Sequence, residues 1–417
     1  MEYLAELTDK GRQAKQAARK LATLSTAVKN KGLATMASAL EQHSAAILAA
    51  NAIDIQNGKD KGMTVSLIDR LMLNEARIAA MAEGLRQIIA LPDPIGEVLG
   101  MQHRPNGLDI GKMRVPLGVI GIIYEARPNV TVDAAGLCLK SGNACILRGG
   151  SEAIHSNTAI VQVLNEAGRV AGLPAGTVQL IETTDRQAVN ALLKLNQYLD
   201  VIIPRGGAGL IKTVVENSTV PVIETGTGVC HTFIDASADV EMAHKIAFNA
   251  KVSRPAVCNS METLLVHQAA AATLLPGLLA DYHQAGVELR GCPETRKYHE
   301  AVQPASEEDW ATEYHDLILS IRIVPDMDTA LEHIAAYSTR HSEAIVTSDY
   351  ANGRRFLQEV DAAAVYINAS TRFTDGFEFG FGAEIGISTQ KMHARGPMGL
   401  PELTSTKYII YGDGQIR

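Results

Sequence analysis

Short apolar segments after residue 100 are the feature that most constrains the fold of this chain. They are continuous rather than alternating, and glycine or proline bounds each of them. In chain order they are Val119–Tyr124, Ala144–Leu147, Thr177–Ile181, Val201–Pro204 and Val220–Ile223. Helix-like stretches such as Ala153–Ala171 and Arg186–Leu195 separate them, which suits β-α-β crossovers between strands buried on both faces. The pattern predicts a doubly wound parallel sheet with ligands at the carboxyl ends of its strands.

A second α/β set follows residue 260. Its predicted strands are Glu262–Val266, Leu317–Val324, Ala344–Thr347 and Ala363–Ile367, and its predicted helices are Ala269–Ala285 and Asp326–Tyr337. With 417 residues, the chain is long enough for more than one domain. We therefore expect an α/β protein with two lobes and a cleft between them.

The residues before 100 predict packing helices. One apolar stripe at helical spacing comprises Leu33, Met36, Ala37, Leu40, Ile47 and Leu48. A second runs from Ile78 to Ile89, with Asn74 as its N-cap and Pro92 as its stop. Between the stripes, Asn57–Gly62 predicts a solvated loop.

Two further segments have strand character. Leu108–Val115 resembles one arm of a hairpin, and Thr404–Tyr411 is a strand-like tail without a partner nearby in sequence. We expect the tail to join a sheet formed elsewhere. The sequence leaves open whether that sheet belongs to the same chain or to another subunit.

Charge and composition exclude several classes of function. The net charge is −8, which argues against a general nucleic-acid or anionic-membrane surface. The first residues lack the features of a signal peptide, and no apolar run is long enough to span a bilayer. The five cysteines contain no C-x-x-C pair, and the twelve histidines show no metal-ligand spacing. We therefore expect a cytoplasmic protein without a metal site.

The glycine-rich stretch Gly206–Thr213 comes closest to a nucleotide-binding motif. A P-loop requires glycine directly before its lysine, where this chain has Ile211, and Lys212 replaces the third glycine of a dinucleotide fingerprint. The turn nevertheless offers backbone N–H groups at the start of a helix. An anion site and a plain tight turn therefore both remain open.

Cys258 is the most suggestive nucleophile. It lies in the proline-broken polar stretch Ser253–Ser260, directly before a predicted strand. Cys138 and Cys145, by contrast, lie in apolar runs typical of core thiols. From residue type alone, a catalytic role and a packing role both stay open for Cys258.

Longer motifs point to a family. The most extensive runs from Val324 to Ile345, and the others are Val115–Gly121, Ser141–Ala144, Glu224–Gly228 and His393–Leu400. On these motifs the chain resembles, from end to end, the aldehyde dehydrogenase superfamily and, within it, the γ-glutamyl phosphate reductases. The resemblance implies an α/β fold of two Rossmann-like lobes, one for the cofactor and one for catalysis, plus a small oligomerisation β-element.

The resemblance also implies a division of the chain into domains. Residues 1–100 and 115–226 are expected to form an NADP-binding domain, with residues 372–402 packing back on it. Residues 227–371 form the catalytic domain. Residues 101–114 and 403–417 supply the oligomerisation hairpin and strand.

Residue by residue, the resemblance implies a thiol mechanism. Cys258 falls on the family's nucleophilic cysteine, and Glu224 falls on its general-base glutamate. The candidate cofactor-binding residues are Arg148, Gly206, Gly207, Glu313, Ser141 and Asn143. Because a guanidinium at position 148 suits a 2′-phosphate, NADPH/NADP is the expected cofactor.

The implied reaction is the NADPH-dependent reduction of L-glutamyl 5-phosphate to L-glutamate 5-semialdehyde, the second step of proline biosynthesis, through a cysteinyl thioester. This substrate carries anionic groups and an ammonium. Its pocket therefore requires cations for the anionic groups and a hydrogen-bond acceptor for the ammonium. The candidates are Arg127, Asn129, Arg254, Arg372, His393 and Arg395. Ala126 stands where the hydrolytic aldehyde dehydrogenases carry their oxyanion-hole asparagine, so backbone N–H groups or Asn129 are expected to hold the oxyanion.

Two alternatives remain open. One is a hydrolytic NAD(P)-dependent aldehyde dehydrogenase in which Glu224 activates water. The other is a non-catalytic binding protein that kept the fold. The resemblance further implies a homo-oligomer, and the lability of an acyl phosphate suggests transient contact with the glutamate 5-kinase that makes it.

Overall fold

The computed structural model describes residues 2–417, which form two compact units. The first contains the chain up to Thr225 together with Gly380–Gly386 and Met398–Arg417. The second contains Gly226–Phe379 and Ile387–Pro397. Compared with the expected division, residues 372–379 and 387–397 group with the second unit. One reason is that the Gly226 N–H donates to the Ile387 carbonyl at 2.9 Å.

Thirteen α-helices are described. In chain order they are α1 (Glu2–Leu21), α2 (Thr26–Gln42), α3 (Ser44–Asp60), α4 (Val65–Leu71), α5 (Glu75–Ala90), α6 (Pro128–Lys140), α7 (Ile154–Ala171), α8 (Arg186–Leu192), α9 (Ala208–Asn217), α10 (Val240–Val252), α11 (Gln268–Gln284), α12 (Met327–Tyr337) and α13 (Tyr350–Glu359). None of these helices has the length and apolar content that a membrane-spanning helix requires.

Sixteen strands are described. They are β1 (Val98–His103), β2 (Asp109–Pro116), β3 (Val119–Tyr124), β4 (Ala144–Arg148), β5 (Val178–Leu180), β6 (Val201–Arg205), β7 (Cys230–Ile234), β8 (Met261–His267), β9 (Glu288–Gly291), β10 (Gln303–Pro304), β11 (Ile318–Val324), β12 (Ser342–Val346), β13 (Ala364–Ile367), β14 (Ile387–Ser388), β15 (Gly396–Pro397) and β16 (Thr404–Tyr411).

The first unit is built on a four-stranded parallel sheet in the order β5-β4-β3-β6. Strands β3 and β4 are buried along their whole length, as their continuous apolar runs predict. Since β4 and β5 lie on one side of β3 and β6 lies on the other, the strand order reverses between β3 and β6. The carboxyl ends of that pair form the crevice where open α/β sheets bind ligands.

One predicted strand of this sheet is wrong. Val220–Ile223 makes only a single parallel bridge, between Ile202 and Val222. The Ile202 N–H donates to the Pro221 carbonyl at 2.8 Å, and the Ile223 N–H donates back to the Ile202 carbonyl at 2.9 Å. Pro221 and Pro204 have no N–H with which to extend this pairing to either side. The ladder therefore does not extend into a fifth strand.

The N-terminal helices pack their predicted stripes into the core. Leu33, Met36 and Leu40 of α2 are buried, and the Asn74 carboxamide caps α5 by accepting the Arg77 N–H at 2.8 Å. The predicted loop at Asn57–Gly62 is wrong for its first four residues, because α3 continues to Asp60. Gly58 is buried there, where an added Cβ would lie 2.7 Å from the Met63 sulfur, so packing overrides the low helix propensity.

A three-stranded antiparallel sheet in the order β1-β2-β16 also belongs to the first unit. The C-terminal tail thus finds its partner within the same chain, since Thr404 to Tyr411 pair with Pro116 to Asp109. All of β1 is exposed, as are Tyr408 and Ile410 of β16. Both edge strands of this sheet therefore carry exposed apolar side chains.

The second unit contains a seven-stranded parallel sheet in the order β10-β9-β11-β8-β7-β12-β13. Leu274, Leu275 and Leu278 of α11 pack on one core of this unit, and Phe356 of α13 lies in another. The predicted strands and helices of this region are confirmed to within three residues at each end. The two parallel sheets confirm the predicted α/β fold class.

Candidate active site

Cys258 lies in a turn between α10 and β8 and is partly buried. The Ser260 N–H closes the turn by donating to the Val257 carbonyl at 3.0 Å, and the Ser260 hydroxyl donates back to Ala250 of α10 at 3.4 Å. Pro255 keeps α10 from continuing into this stretch. The thiol is therefore carried by a short, bonded turn at the start of a buried strand.

A second segment clamps this turn from residues 371–374. The Asn259 side-chain amide donates to the carbonyls of Arg372 (3.2 Å) and Thr374 (2.9 Å). In return, the Thr371 hydroxyl donates to the Asn259 carbonyl at 2.8 Å. These reciprocal bonds fix the Cys258 turn against the segment that carries Arg372.

Residues at and just before the start of β7 contact the carbonyl of Cys258. The Cys230 thiol donates to this carbonyl at 3.2 Å. Burial raises the pKa of Cys230 well above its usual value, so its thiol remains a neutral donor. Gly228 packs so closely that an added Cβ would lie 1.5 Å from the Cys258 oxygen. Only glycine fits there.

Arg372 brings positive charge to the thiol, and Arg254 lies within electrostatic range of Arg372. Burial lowers the pKa of Arg372, the charge of Arg254 lowers it further, and charge on Cys258 raises it. The Arg372 Nε donates to the Ser253 hydroxyl at 3.2 Å, which orients the guanidinium beside the turn. Neighbouring cations favour the thiolate form of a cysteine and bind phosphate well.

Four residues of the second unit lie directly before strands of its parallel sheet. Gly228 comes before β7, Cys258 before β8, Glu313 before β11 and Thr339 before β12. Two of these elements are bonded directly, because the Thr339 hydroxyl accepts the Val229 N–H at 2.9 Å. The candidate site of the second unit therefore lies at the amino ends of a parallel sheet, opposite to the end at which open α/β sheets usually bind ligands.

The long motif from Val324 to Ile345 supplies the buried support of this site. Its Glu343 accepts hydrogen bonds from the backbone N–H (2.8 Å) and Nδ1 (3.0 Å) of His231 on β7. Its His341 lies 3.8 Å from the Cys230 sulfur. Burial lowers the pKa of His341 to about 4, so the imidazole is neutral at pH 7.

The first unit offers a separate group of candidates at the β3–β6 crevice. Arg148 ends the neighbouring strand β4, where its Nη1 donates to the Gly149 carbonyl at 2.6 Å and its buried Nε has no hydrogen-bond partner. Gly206 and Gly207 follow β6 and begin α9. The Gly207 N–H donates to a carboxylate oxygen of Glu125 at 3.0 Å.

Comparisons with known proteins agree with this architecture. The model of the aldehyde dehydrogenase family matches residues 5–295. The chain belongs to the aldehyde dehydrogenase family. The γ-glutamyl phosphate reductases of Moorella thermoacetica and Heliobacterium modesticaldum are similar to it, at 64% identity over 417 residues (100% of each chain) and 62% over 413 residues (99% of each chain).

A solved structure supports the same placement. The crystal structure of γ-glutamyl phosphate reductase from Thermotoga maritima is similar with a TM-score of 0.97 and 50% identity, covering 99% of this chain and 100% of that one. Within the aldehyde dehydrogenase family, the chain therefore groups with the γ-glutamyl phosphate reductases. Family membership makes it an oxidoreductase that uses a nicotinamide cofactor.

Residues of the first unit can accommodate such a cofactor. The buried Arg148 Nε is a donor without a partner, and an added Cβ at Gly206 would lie 2.6 Å from the Glu125 carboxyl carbon. The absence of a Cβ at Gly206 lets the Glu125 carboxylate approach the backbone at the start of α9, where N–H groups suit an anion. A phosphate group at this turn would have to compete with Glu125 for the Gly207 N–H.

Two predicted cofactor residues lie in the interior of the first unit. Ser141 and Asn143 are fully buried, and the Asn143 amide donates to the Leu403 carbonyl at 2.9 Å. Its side-chain oxygen accepts the Gly118 N–H at 2.8 Å. Both residues precede β4 and so lie at the amino end of their sheet, away from the crevice. A cofactor-binding role for Ser141 and Asn143 stays a prediction from the sequence.

The remaining candidates of the first unit lie after β3 or near the unit boundary. Arg127 caps α6 and is exposed, and the Asn129 amide donates to Asp133 at 3.1 Å. Ala126 offers no free oxyanion donor, because its N–H is bonded to Glu152 at 2.7 Å. Glu224 is partly buried at the end of the first unit.

Two candidates of the second unit lie around Asp361. Arg395 donates its Nη2 to Asp361 at 2.8 Å, and Lys391 pairs with the same carboxylate at 2.7 Å. These bonds lower the pKa of Asp361 to about 2. His393 is exposed and has a left-handed backbone with φ 69°. The charge of Arg395 is thus already partly neutralised.

Sequence reasoning missed the residues that support Cys258 from behind. Gly228 lies inside a motif that the sequence displays, but its contact with Cys258 depends on the pairing of β7 with β8. Cys230, His341 and Glu343 lie in or beside buried apolar strands. The sequence signal for these three residues is a polar side chain within or beside an otherwise apolar strand.

Proposed function

We propose that this chain catalyses the NADPH-dependent reduction of L-glutamyl 5-phosphate to L-glutamate 5-semialdehyde with release of phosphate. The observation that carries the proposal is the setting of Cys258, a thiol on a clamped turn with the Arg372 guanidinium within electrostatic range. The names and the identities of the full-length relatives support the same reaction.

Thiolate attack opens the cycle. The Cys258 sulfur attacks the acyl carbon, the C–S bond forms, and the bond from carbon to the phosphate oxygen breaks. Phosphate leaves and a γ-glutamyl thioester remains on Cys258. Arg254 and Arg372 neutralise the charge that develops on the departing phosphate. A cysteine suits this step because thiolate is strongly nucleophilic near neutral pH.

Reduction of the thioester completes the cycle. NADPH supplies the hydride when it is bound. Cys258 then carries a hemithioacetal, whose C–S bond breaks to release the aldehyde and the thiolate. Arg148 recognises the 2′-phosphate, and Gly206 and Gly207 face the pyrophosphate. No water takes part, so Glu224 has no hydrolytic role in this direction and serves in proton handling or in structure.

The reverse reaction tests this function. Purified protein receives the semialdehyde and NADP⁺, with and without inorganic phosphate, and NADPH is followed by its absorbance. We expect NADPH to accumulate over many turnovers only when phosphate and Cys258 are both present, with Cys258→Ala as the control. Equal turnover without phosphate would replace this function by the hydrolytic alternative, in which Glu224 activates water.

We also propose that the chain self-associates through the sheet β1-β2-β16. The exposed apolar residues of its edge strands, such as Met101 and Tyr408, support this. Transient contact with the kinase that makes the acyl phosphate, and a cytoplasmic location, remain predictions from the sequence.

A further inference from the structure

Glu125 stands at the crevice of the first unit. It directly follows β3, and Gly206 and Gly207 follow the neighbouring strand β6. The Glu125 N–H donates to the Arg205 carbonyl at 3.2 Å, which continues the pairing of β3 with β6 by one residue. The backbone then turns at once, because the Arg127 N–H donates to the Glu125 carbonyl at 2.5 Å. Backbone hydrogen bonds therefore hold Glu125 at the carboxyl end of this strand pair.

The Glu125 carboxylate lies where an anion is favoured, at the start of α9. Its Oε2 accepts the N–H of Gly207, the residue that caps α9, at 3.0 Å. The N-terminus of a helix favours negative charge because its first N–H groups have no partner within the helix. An added Cβ at Gly206 would lie 2.7 Å from the same oxygen. The glycine at position 206 therefore gives the carboxylate its access to this place.

No neighbouring cation neutralises this carboxylate. Among the described side chains, Glu125 is bonded to a backbone N–H and pairs with no lysine or arginine. A phosphate group at the Gly207 N–H would have to displace the carboxylate and would also meet its negative charge at short range. Both effects weaken the binding of a phosphate at this turn, and neither acts on a phosphate bound elsewhere.

Arg148 acts in the opposite sense in the same sheet. It ends β4 and is only 9% exposed, and its buried Nε is a donor without a partner. In the proposed function this guanidinium recognises the 2′-phosphate of the cofactor. The first unit therefore offers a cation to one phosphate of NADPH and places a carboxylate at the turn that faces the others.

We propose that Glu125 is an intramolecular competitor of the cofactor pyrophosphate, which holds the Gly207 N–H until the cofactor displaces it and so lowers the affinity for NADPH and NADP⁺. The proposal rests on the proposed function, in which Gly206 and Gly207 face the pyrophosphate. Because the oxidised cofactor has to leave after every cycle, such a competitor favours its release.

The experiment compares two ligands that share the 2′-phosphate. NADPH also carries the pyrophosphate, whereas adenosine 2′-monophosphate lacks it. Dissociation constants are measured on the full-length chain, by fluorescence for NADPH and by calorimetry for adenosine 2′-monophosphate, for the wild type, Glu125→Gln and Glu125→Ala. We expect both substitutions to tighten NADPH binding by about three- to tenfold, since Glu125 is exposed and its contact is moderate in strength. Binding of adenosine 2′-monophosphate should stay within about twofold of the wild type.

Two control variants accompany these measurements. Glu216→Gln removes the same charge from an exposed residue near the other end of α9, so it should leave both constants unchanged. Arg148→Ala removes the cation proposed for the 2′-phosphate. It should weaken both ligands by about tenfold or more.

Three results would overturn the proposal. NADPH binding that either Glu125 variant leaves unchanged would show that the carboxylate does not compete, and weaker binding would make Glu125 a cofactor ligand. Equal tightening of both ligands, or the same tightening in Glu216→Gln, would reduce the effect to net charge. The proposed function fails separately, if the wild type turns over without phosphate or if Arg148→Ala leaves both constants unchanged. Phosphate-dependent turnover beside unchanged NADPH binding in the Glu125 variants refutes only the competition.

Discussion

At Cys258, contacts with the backbone determine where the thiol stands. Asn259 ties the turn to residues 371–374, Cys230 donates to the Cys258 carbonyl, and Gly228 fills the space behind it. Each of these contacts acts on a neighbour or on a main-chain atom of the nucleophile. The position of the Cys258 turn is therefore fixed by the fold.

The role of Arg372 predicts a selective defect in phosphate binding. Replacing it by alanine removes the cation that interacts with the charge on Cys258. We expect Arg372→Ala to raise the KM for phosphate in the reverse reaction by about 10- to 100-fold, because a charge-assisted bond to phosphate contributes about 1.5–3 kcal/mol. Arg296→Ala, at an exposed arginine of the same unit, is the matched control. An unchanged KM for phosphate would remove Arg372 from the phosphate site.

The close approach of Gly228 predicts a large effect from one methyl group. In Gly228→Ala, the new Cβ would lie 1.5 Å from the Cys258 carbonyl oxygen, so the turn has to move. We expect kcat to fall by about 10²-fold or more. The control is Gly277→Ala on α11, where an added Cβ meets no atom within 4 Å. Retained activity in Gly228→Ala would show that the turn tolerates displacement.

At the scale of elements, the motif from Val324 to Ile345 folds as β11, α12 and β12 and carries buried histidines. Burial lowers the pKa of His333 on α12 to about 3, and the charges of His231 and Arg322 contribute. His341 before β12 is lowered to about 4. An unfolded histidine binds a proton near pH 6.5. The unfolded state therefore binds more protons between about pH 4 and 6.5.

The sign of this difference predicts acid sensitivity. The stability that the neutral histidines provide is present above pH 6.5 and is lost as the pH falls towards 4. Each contributes a slope of up to about 1.4 kcal/mol per pH unit to the free energy of unfolding. The free energy of unfolding is measured by urea titration at several pH values between 5 and 7. Plotted against pH, it should rise less steeply for His333→Gln than for the wild type and equally steeply for the exposed His103→Gln. Equal slopes in all three proteins would contradict this account.

Strands and helices could be predicted where one local rule decides them. The apolar run Val119–Tyr124 has no alternative to a buried strand, and Asp326 caps α12 by accepting the Thr329 N–H at 2.8 Å. Prediction failed where side-chain packing or pairing with another segment decides the local structure. Gly58 stays helical because Met63 and Ile68 pack on it, and Val220–Ile223 stops at one bridge because of Pro221.

Over the whole molecule, the two parallel sheets use opposite ends. Arg148, Gly206 and Gly207 follow their strands, as the rule for open α/β sheets predicts. Cys258, Gly228 and Glu313 precede theirs. No local pattern reveals the second arrangement, because it depends on which loops the pairing of β7, β8, β11 and β12 brings together. The resemblance to the family identified Cys258, whereas its supporting residues required the structure.

The sheet β1-β2-β16 predicts the assembly state. Tyr408 and Ile410 are 69% and 60% exposed on an edge strand. We expect light scattering to give at least twice the monomer mass for the wild type, and the monomer mass for Tyr408→Glu combined with Ile410→Lys, because charges block edge pairing. Val170→Lys, at a 65% exposed position on α7, should leave the mass unchanged. A wild type that is already monomeric at micromolar concentration would contradict the assembly.

The covalent state of Cys258 tests the central claim most directly. Enzyme is mixed with the semialdehyde and NADP⁺ in the absence of phosphate, and both the NADPH released and the mass of the Cys258 peptide are measured. The account predicts one equivalent of NADPH per active site and one glutamyl group on Cys258, which added phosphate then removes. Release of one equivalent of NADPH with Cys258 unmodified would contradict the account. So would a glutamyl group on another residue.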